Sequence, residues 1–221
     1  KTNSDSLNVD EFSNIEFFDQ LHYHGTKAVD FCVKKLKINS SMSILEIGSG
    51  IGGPARHIAN KTGATVTALE LQSDQNKLAS DLTGRCGLSE KVIHVCGDFL
   101  THDWEGKKFD AIVSWLALYH IEDHNTLLQK SFDLLNPNGL FYAEDLISRH
   151  PFNKNELDEL SREIFANYLP NNKTYKSELE KKDSMCLFIK ICQIIGLKLH
   201  EIESLRTLIK RIDIQEFTAK I

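Results

Sequence analysis

The stretch Ser43 to Pro54, Ser-Ile-Leu-Glu-Ile-Gly-Ser-Gly-Ile-Gly-Gly-Pro, constrains the fold of this chain more than any other. Ile44 to Ile47 predicts a buried strand carrying one acid, Glu46. Gly48, Gly50 and Gly52 then fall at every second position. Glycine lacks a Cβ, so backbone of this kind can turn sharply and lie close against a ligand. Pro54 suits the first turn of a helix. Strand, glycine turn and helix N-terminus in succession form a general plan for holding a nucleotide-like ligand. The spacing is not the G-x-G-x-x-G of a dinucleotide site, and no P-loop Lys-Ser/Thr follows to hold a triphosphate.

The rest of the chain repeats the alternation of strand and helix. Ile15 to Tyr23 has a partly apolar helical pattern, and Gly25 suits its end, with Thr26 capping the next helix. Ala28, Phe31, Cys32, Leu36 and Ile38 mark that second helix by their spacing. Ala55 to Lys61 predicts a helix ended by Gly63, and Thr65 to Leu69 a second strand ending in Glu70. Ser73 to Leu82 reads as a helix, Val92 to Cys96 as the third strand, and Gly97-Asp98-Phe99 follows it directly. Phe109 to Trp115 is apolar almost throughout, as a strand buried on both faces should be. Thr126 to Leu135 predicts a helix, Asn136 to Gly139 a turn, and Leu140 to Ala143 a fifth strand running into Glu144-Asp145. Five alternations argue for a doubly wound, mostly parallel α/β sheet with ligands at the carboxyl ends of its strands.

Both ends depart from that rhythm. Lys1 to Asn14 is polar and reads as frayed. Ser148 to Ser184 reads as a helical insertion, with Leu157, Leu160, Ile164 and Phe165 at helix spacing. Cys186 to Ile195 predicts a helix closed by Gly196, Leu197 to Ile202 a sixth strand, and Leu205 to Ile221 no clear seventh. The expected organisation is therefore N-terminal helices and a lid over 1–42, a ligand-binding core over 43–147, the insertion over the active site at 148–184, and the last helix and strand of the core over 185–221.

Composition removes several classes of function. With 221 residues, the chain has enough length for one α/β domain. A net charge of −5 argues against a nucleic-acid surface. No apolar run approaches the roughly 20 residues of a membrane span. Lys1 to Asp10 lacks the apolar core of a signal peptide, and the absent initiator Met points to a trimmed chain or fragment. The five cysteines are scattered and never form C-x-x-C, which fits free thiols in a reducing cytoplasm rather than a disulfide frame or zinc site. His120 and His124 could share a helix face, but no third ligand lies nearby, so no metal is expected.

Taken together, Glu46-x-Gly48-x-Gly50-x-Gly52-Gly53-Pro54, Glu70, Asp98 and Leu135-Asn136-Pro137-Asn138-Gly139 resemble the motifs of class I S-adenosylmethionine (SAM) methyltransferases. Within that superfamily, Gly48 to Pro54 and the segment Ser114-x-x-Ala117-x-x-His120 resemble the phosphoethanolamine and the sarcosine/dimethylglycine N-methyltransferases. The resemblance implies a Rossmann-like methyltransferase fold, with SAM as cofactor and S-adenosylhomocysteine as its product. It implies a cofactor site of Tyr23, Glu46, Gly48, Ser49, Gly50, Gly52, Glu70, Leu71, Gln75, Asp98, Phe99 and Ser114. In this site Glu70 accepts from the ribose hydroxyls and Asp98 from the adenine amino group, with Phe99 against the ring. It also implies His120, with Tyr23 or His24 from the lid, as the catalytic groups that take or orient a proton.

The partner is then a small-molecule methyl acceptor, with N-methylation of a small amine favoured. Phosphoethanolamine methyltransferases carry an Asp where this chain has Leu116, which weakens the case for that substrate. Tocopherol and sterol C-methyltransferases share the Gly-Gly-Pro turn, so an apolar acceptor stays open. A catalytically inactive SAM-binding module and a nicotinamide oxidoreductase also stay open, the latter disfavoured by the glycine spacing.

Overall fold

The computed structural model describes residues 6–13, 18–148, 151–171 and 187–193. Its centre is a six-stranded parallel sheet of order β3-β2-β1-β4-β5-β6. The strands are β1 (Ser43–Ile47), β2 (Thr65–Glu70), β3 (Val92–Cys96), β4 (Phe109–Trp115), β5 (Leu135–Ile147) and β6 (Leu187–Gln193). The helices are α1 (Val9–Ser13), α2 (Thr26–Leu36), α3 (Gly53–Thr62), α4 (Ser73–Arg85), α5 (His124–Leu134) and α6 (Lys154–Ile164), with a short 3-10 helix at Leu118–His120. Strand order reverses between β1 and β4, which makes their carboxyl ends the topological switch point where ligands of such sheets bind.

Successive strand residues point to opposite faces, and each face has its own core. Ile44, Val66, Ala68, Val113 and Tyr142 pack with Val29, Cys32 and Ile58 of α2 and α3. Leu45, Ile47, Leu69, Ile112 and Phe141 pack on the other face with Leu127, Leu128 and Trp104. Burial on both faces explains why β1, β2 and β4 are mostly apolar. Glu46 is the buried acid of β1, on the face it shares with Ile44.

Local signals set most helix ends. Gly52 precedes α3 in the left-handed region, and Gly63 closes it by donating its N–H to Ala59 at 2.9 Å. Asp123 caps α5 by accepting from Thr126 N–H at 3.0 Å. Asn153 and Glu156 form a reciprocal capping box at the start of α6, inside the expected insertion. The turn Asn136 to Gly139 is a four-residue excursion within β5. Phe109 pairs with Leu135 and Ala111 with Leu140, so these residues face only Asp110, whose Oδ1 accepts from Asn136 Nδ2 at 2.8 Å.

Three expectations need correction. The expected helix over Ile15 to Tyr23 is not formed in its described part, because Phe18 to Tyr23 is irregular backbone. Tertiary contacts hold it that way: the Asp19 carbonyl lies against Gly53, and His22 stacks on Trp115 with ring centroids 5.7 Å apart. A helix forms instead at Val9–Ser13, in the stretch read as frayed. Gly25 then occupies the cap position of α2, and Thr26 is its first residue. The expected helix over Cys186 to Ile195 is a strand in its described part: β6 pairs in parallel with β5 from Phe141↔Leu187 to Ile147↔Gln193. The open edge of β5 there outweighs a local helical pattern. The expected strand Leu197 to Ile202 and the stretch Leu205 to Ile221 lie outside the described residues.

Candidate active site at the sheet switch point

Gly48 leaves β1 with φ at 72°, and its N–H and that of Ser49 both donate to Leu69 O at 2.9 Å. A Cβ at Gly48 would lie 2.2 Å from the Cβ of Ala117, the residue that leads from β4 into the 3-10 helix. Only glycine permits this close approach of the two strand ends. Ser114 adds a tie beneath it: fully buried, it donates Oγ–H to Ile47 O at 2.9 Å. Its observed role is to join β4 to β1.

Glu70 holds the far side of the turn. Its Oε2 accepts from Gly50 N–H and its Oε1 from Gln72 N–H, both at 2.8 Å. Burial raises its pKa, and these N–H groups bring it part of the way back. Gln75 Oε1 lies 3.6 Å from the point where a Gly50 Cβ would sit. Glu46 is buried and held well above the usual carboxylate range, first by burial. Among the described residues neither Glu46 Oε2 nor the buried Ser49 Oγ has a hydrogen-bond partner. An acceptor and a hydroxyl left open beside an uncrowded Gly50 suit an amino-acid end such as the methionine portion of SAM. Burying such atoms without a partner is otherwise unfavourable.

The outer residues divide. Leu71 is exposed on the rim. Asp98 Oδ1 accepts from Leu100 N–H at 2.7 Å, which shapes the turn after β3. Phe99 is 3% exposed and packs in the core with Leu45, Leu69 and Trp104. In this arrangement its ring belongs to the core.

The N-terminal segment and the 3-10 helix form the opposite wall. His22 is buried, its Nε2 3.0 Å from Gln20 Oε1. Tyr23 is 38% exposed, and His24 is exposed with φ at 66°. The imidazole-aromatic cluster therefore splits into one docked residue and two open ones. His120 is exposed but flanked by chain: Nδ1 lies 2.9 Å from Phe165 O and the ring centroid 4.0 Å from that of Tyr119. Crowding by the protein lowers its pKa, and the Phe165 carbonyl partly opposes this. With Nδ1–H donating to that carbonyl, the neutral tautomer leaves the Nε2 lone pair available. His124 does not join it. It is buried, stacked on Tyr168 at 4.3 Å, and lowered to about 4 by burial. No group of three potential metal ligands occurs among the described residues.

Sequence reasoning missed Asp19, Arg56 and Asp145. Asp19 Oδ2 accepts from Arg56 Nη2 at 3.1 Å, and both side chains are fully buried. Asp145 follows Glu144 near the end of β5 and is 4% exposed. An acid at a strand end was a usable signal for Asp145, as it was for Glu70. Nothing in the spacing pairs Asp19 with Arg56.

Replacing Glu70 by Ala should weaken SAM binding by roughly 1–3 kcal/mol and also lower the melting temperature, because the Gly50 and Gln72 N–H groups lose their acceptor. Calorimetric titration and thermal melts on one preparation check both. An unchanged SAM affinity would make Glu70 a purely structural brace.

Residues 45–143 match the family model described as "Methyltransferase domain". The chain is 32% identical over 111 residues to a sterol 24-C-methyltransferase of Debaryomyces hansenii, covering 50% of this chain and 29% of that protein. It is 30% identical over 144 residues to squalene methyltransferase 1 of Botryococcus braunii, covering 64% and 38%. It thus spans about a third of the length of the curated relatives it matches. Among solved structures, Haemonchus contortus phosphoethanolamine N-methyltransferase 2 in complex with S-adenosyl-L-methionine superposes with a TM-score of 0.68 at 20% identity, covering 96% of this chain and 49% of that one. With the glycine turn at the switch point, the acid after β2 and the parallel sheet, these matches make residues 45–143 similar to a methyltransferase domain and give the chain the fold of such enzymes.

Proposed function

We propose that this chain transfers the methyl group of SAM to the nitrogen of a small amine. The observation that carries this reading is His120. It lies three residues past Ala117, which abuts Gly48, and its Nδ1 is engaged by Phe165 O. The sulfonium is already a strong electrophile, so the protein chiefly aligns the acceptor and excludes water. An amine attacks only as the neutral base, and a lowered histidine with Nε2 free is suited to take its proton. The acceptor is a small molecule held at the carboxyl edge of β4 and β5, beside Tyr23 and Tyr119.

The sterol and squalene methyltransferase relatives favour a second reading, C-methylation of an apolar acceptor. Leu116, just before the 3-10 helix and partly exposed, is compatible with it. Methyl transfer from labelled SAM to a panel of amines, phenols, squalene and sterols separates the two. Label on amines alone supports the first reading, and label on squalene or sterols alone replaces it with the second. With an amine acceptor, His120→Ala should slow single-turnover transfer by about 10²-fold while SAM affinity stays nearly unchanged. A normal rate in the folded, SAM-saturated variant would remove His120 from catalysis.

A further inference from the structure

Asp145 lies near the carboxyl end of β5, next to the strand that bears the switch point. Its Oδ1 accepts from Leu146 N–H at 2.8 Å, and the N–H groups of Leu118 and Tyr119 in the 3-10 helix lie near enough to its carboxylate to pull its pKa down. It is 4% exposed. Despite these N–H groups, burial raises its pKa to about 7, and no cationic side chain among the described residues opposes that rise.

Among the described residues, the groups around it are apolar or phenolic. Tyr119 stands beside it, with Tyr23 of the N-terminal segment close enough to raise the same phenol. From α6, Leu160 and Ile164 pack with Tyr119 and Leu146. On β6, Ile191 is in register with Asp145, while Lys190 is in register with Glu144. His120 is reached through the Tyr119 ring.

A buried carboxylate without a counter-cation costs stability, and folds keep such groups where function uses them. A cation that enters with the ligand completes the arrangement. Tyr23 and Tyr119 can add ring faces to that cation's surroundings. We propose that Asp145 is the acceptor-recognition residue: its carboxylate binds the ammonium head of the amine and disfavours acceptors whose reacting end carries a phosphate. This rests on the amine reading above. The balance of charge is simple. Asp145 stays an anion, one ammonium proton passes to His120 Nε2, and the freed nitrogen lone pair forms the N–CH3 bond. The S–CH3 bond electrons return to sulfur.

The test compares wild type with Asp145→Asn, using labelled SAM and tyramine, ethanolamine, phosphoethanolamine and squalene as acceptors. Wild type should methylate the plain amines with at least tenfold higher kcat/KM than phosphoethanolamine. Its KM for a plain amine should fall as pH rises through about 7, where Asp145 ionises. Asp145→Asn should raise the amine KM about 30-fold, flatten that pH dependence and narrow the preference over phosphoethanolamine. Its SAM affinity should be unchanged and its melting temperature equal or higher, because a buried charge has gone. A variant with wild-type KM, pH dependence and charge preference overturns the role of Asp145 and leaves the amine reading standing. Preferential methylation of phosphoethanolamine by wild type does the same. Label on squalene alone overturns both.

Discussion

Arg56→Ala should destabilise the protein by about 3–5 kcal/mol, the loss typical when one partner of a buried ion pair is removed. Arg56 is fully buried, and its guanidinium does several things at once. Nη2 donates to Asp19 Oδ2 at 3.1 Å, while Nη1 donates to Thr83 Oγ1 at 3.2 Å and Ala79 O at 3.3 Å. Thr83 Oγ1 in turn lies 2.8 Å from His94 Nε2, a ring that burial and Arg56 lower to about 4. Without Arg56, Asp19 would be an uncompensated charge in the interior. Burial already raises Asp19 above its ordinary value, and Arg56 is the main group pulling it down. A carboxyl raised in the fold favours folding below its unfolded pKa, and that advantage is lost as pH rises through the folded value. The deficit of the variant should therefore be larger at pH 8 than at pH 5.

The same change should release the N-terminal segment. The Asp19 carbonyl sits 1.9 Å from where a Gly53 Cβ would be, so this segment is seated on the start of α3. Asp19 precedes His22, which stacks on Trp115, and Tyr23 at the site. Proteolysis near Tyr23 should accelerate in Arg56→Ala, and the double variant Asp19→Leu/Arg56→Met should recover most of the stability, because apolar replacements remove the buried charges together. Equal melting of Arg56→Ala and wild type at pH 8 would show that the pair contributes nothing.

Gly48→Ala should cost about 2–4 kcal/mol and reduce SAM affinity by more than tenfold. Two penalties combine. An alanine at a φ of 72° is strained by about 1 kcal/mol. Its Cβ would also lie 2.2 Å from the Ala117 Cβ, and overpacking of that kind typically costs a further 1–3 kcal/mol. The only relief is to separate the ends of β1 and β4, which lie on either side of the switch point. For a chain of this size the melting temperature should fall by roughly 5–15 °C. Ala117→Gly in the same molecule should recover the overlap part and leave the strain. Double-variant stability no better than Gly48→Ala would show that the two strand ends do not compete for that space.

The carboxyl-end motifs and the sheet were legible because they rest on local chemistry. Alternating glycines, a proline at a helix start and runs such as Phe109 to Trp115 admit few backbone solutions wherever they occur. Glu70 stood out as a strand-end acid suited to ribose hydroxyls, whereas its bond from Gly50 N–H at 2.8 Å is a contact that the fold adds. The excursion Asn136 to Gly139 carried its own turn residues and formed where they stood.

Other features were decided by partners far away in the chain. Phe18 to Tyr23 has a helical pattern, yet Asp19 is drawn to Arg56 and His22 to Trp115, and those contacts outweigh local propensity. Leu187 to Gln193 reads as helix by spacing but completes the edge of β5. Phe99 packs beside Trp104, a neighbour that nothing in the spacing announces. Sequence determined that this chain would build a parallel sheet with a glycine turn and acids at its carboxyl edge, because those signals depend on residues adjacent in the chain. Tertiary structure alone decided which buried polar groups meet, Arg56 with Asp19 and Asp145 with the 3-10 helix, because desolvation and pairing depend on what surrounds a group in space.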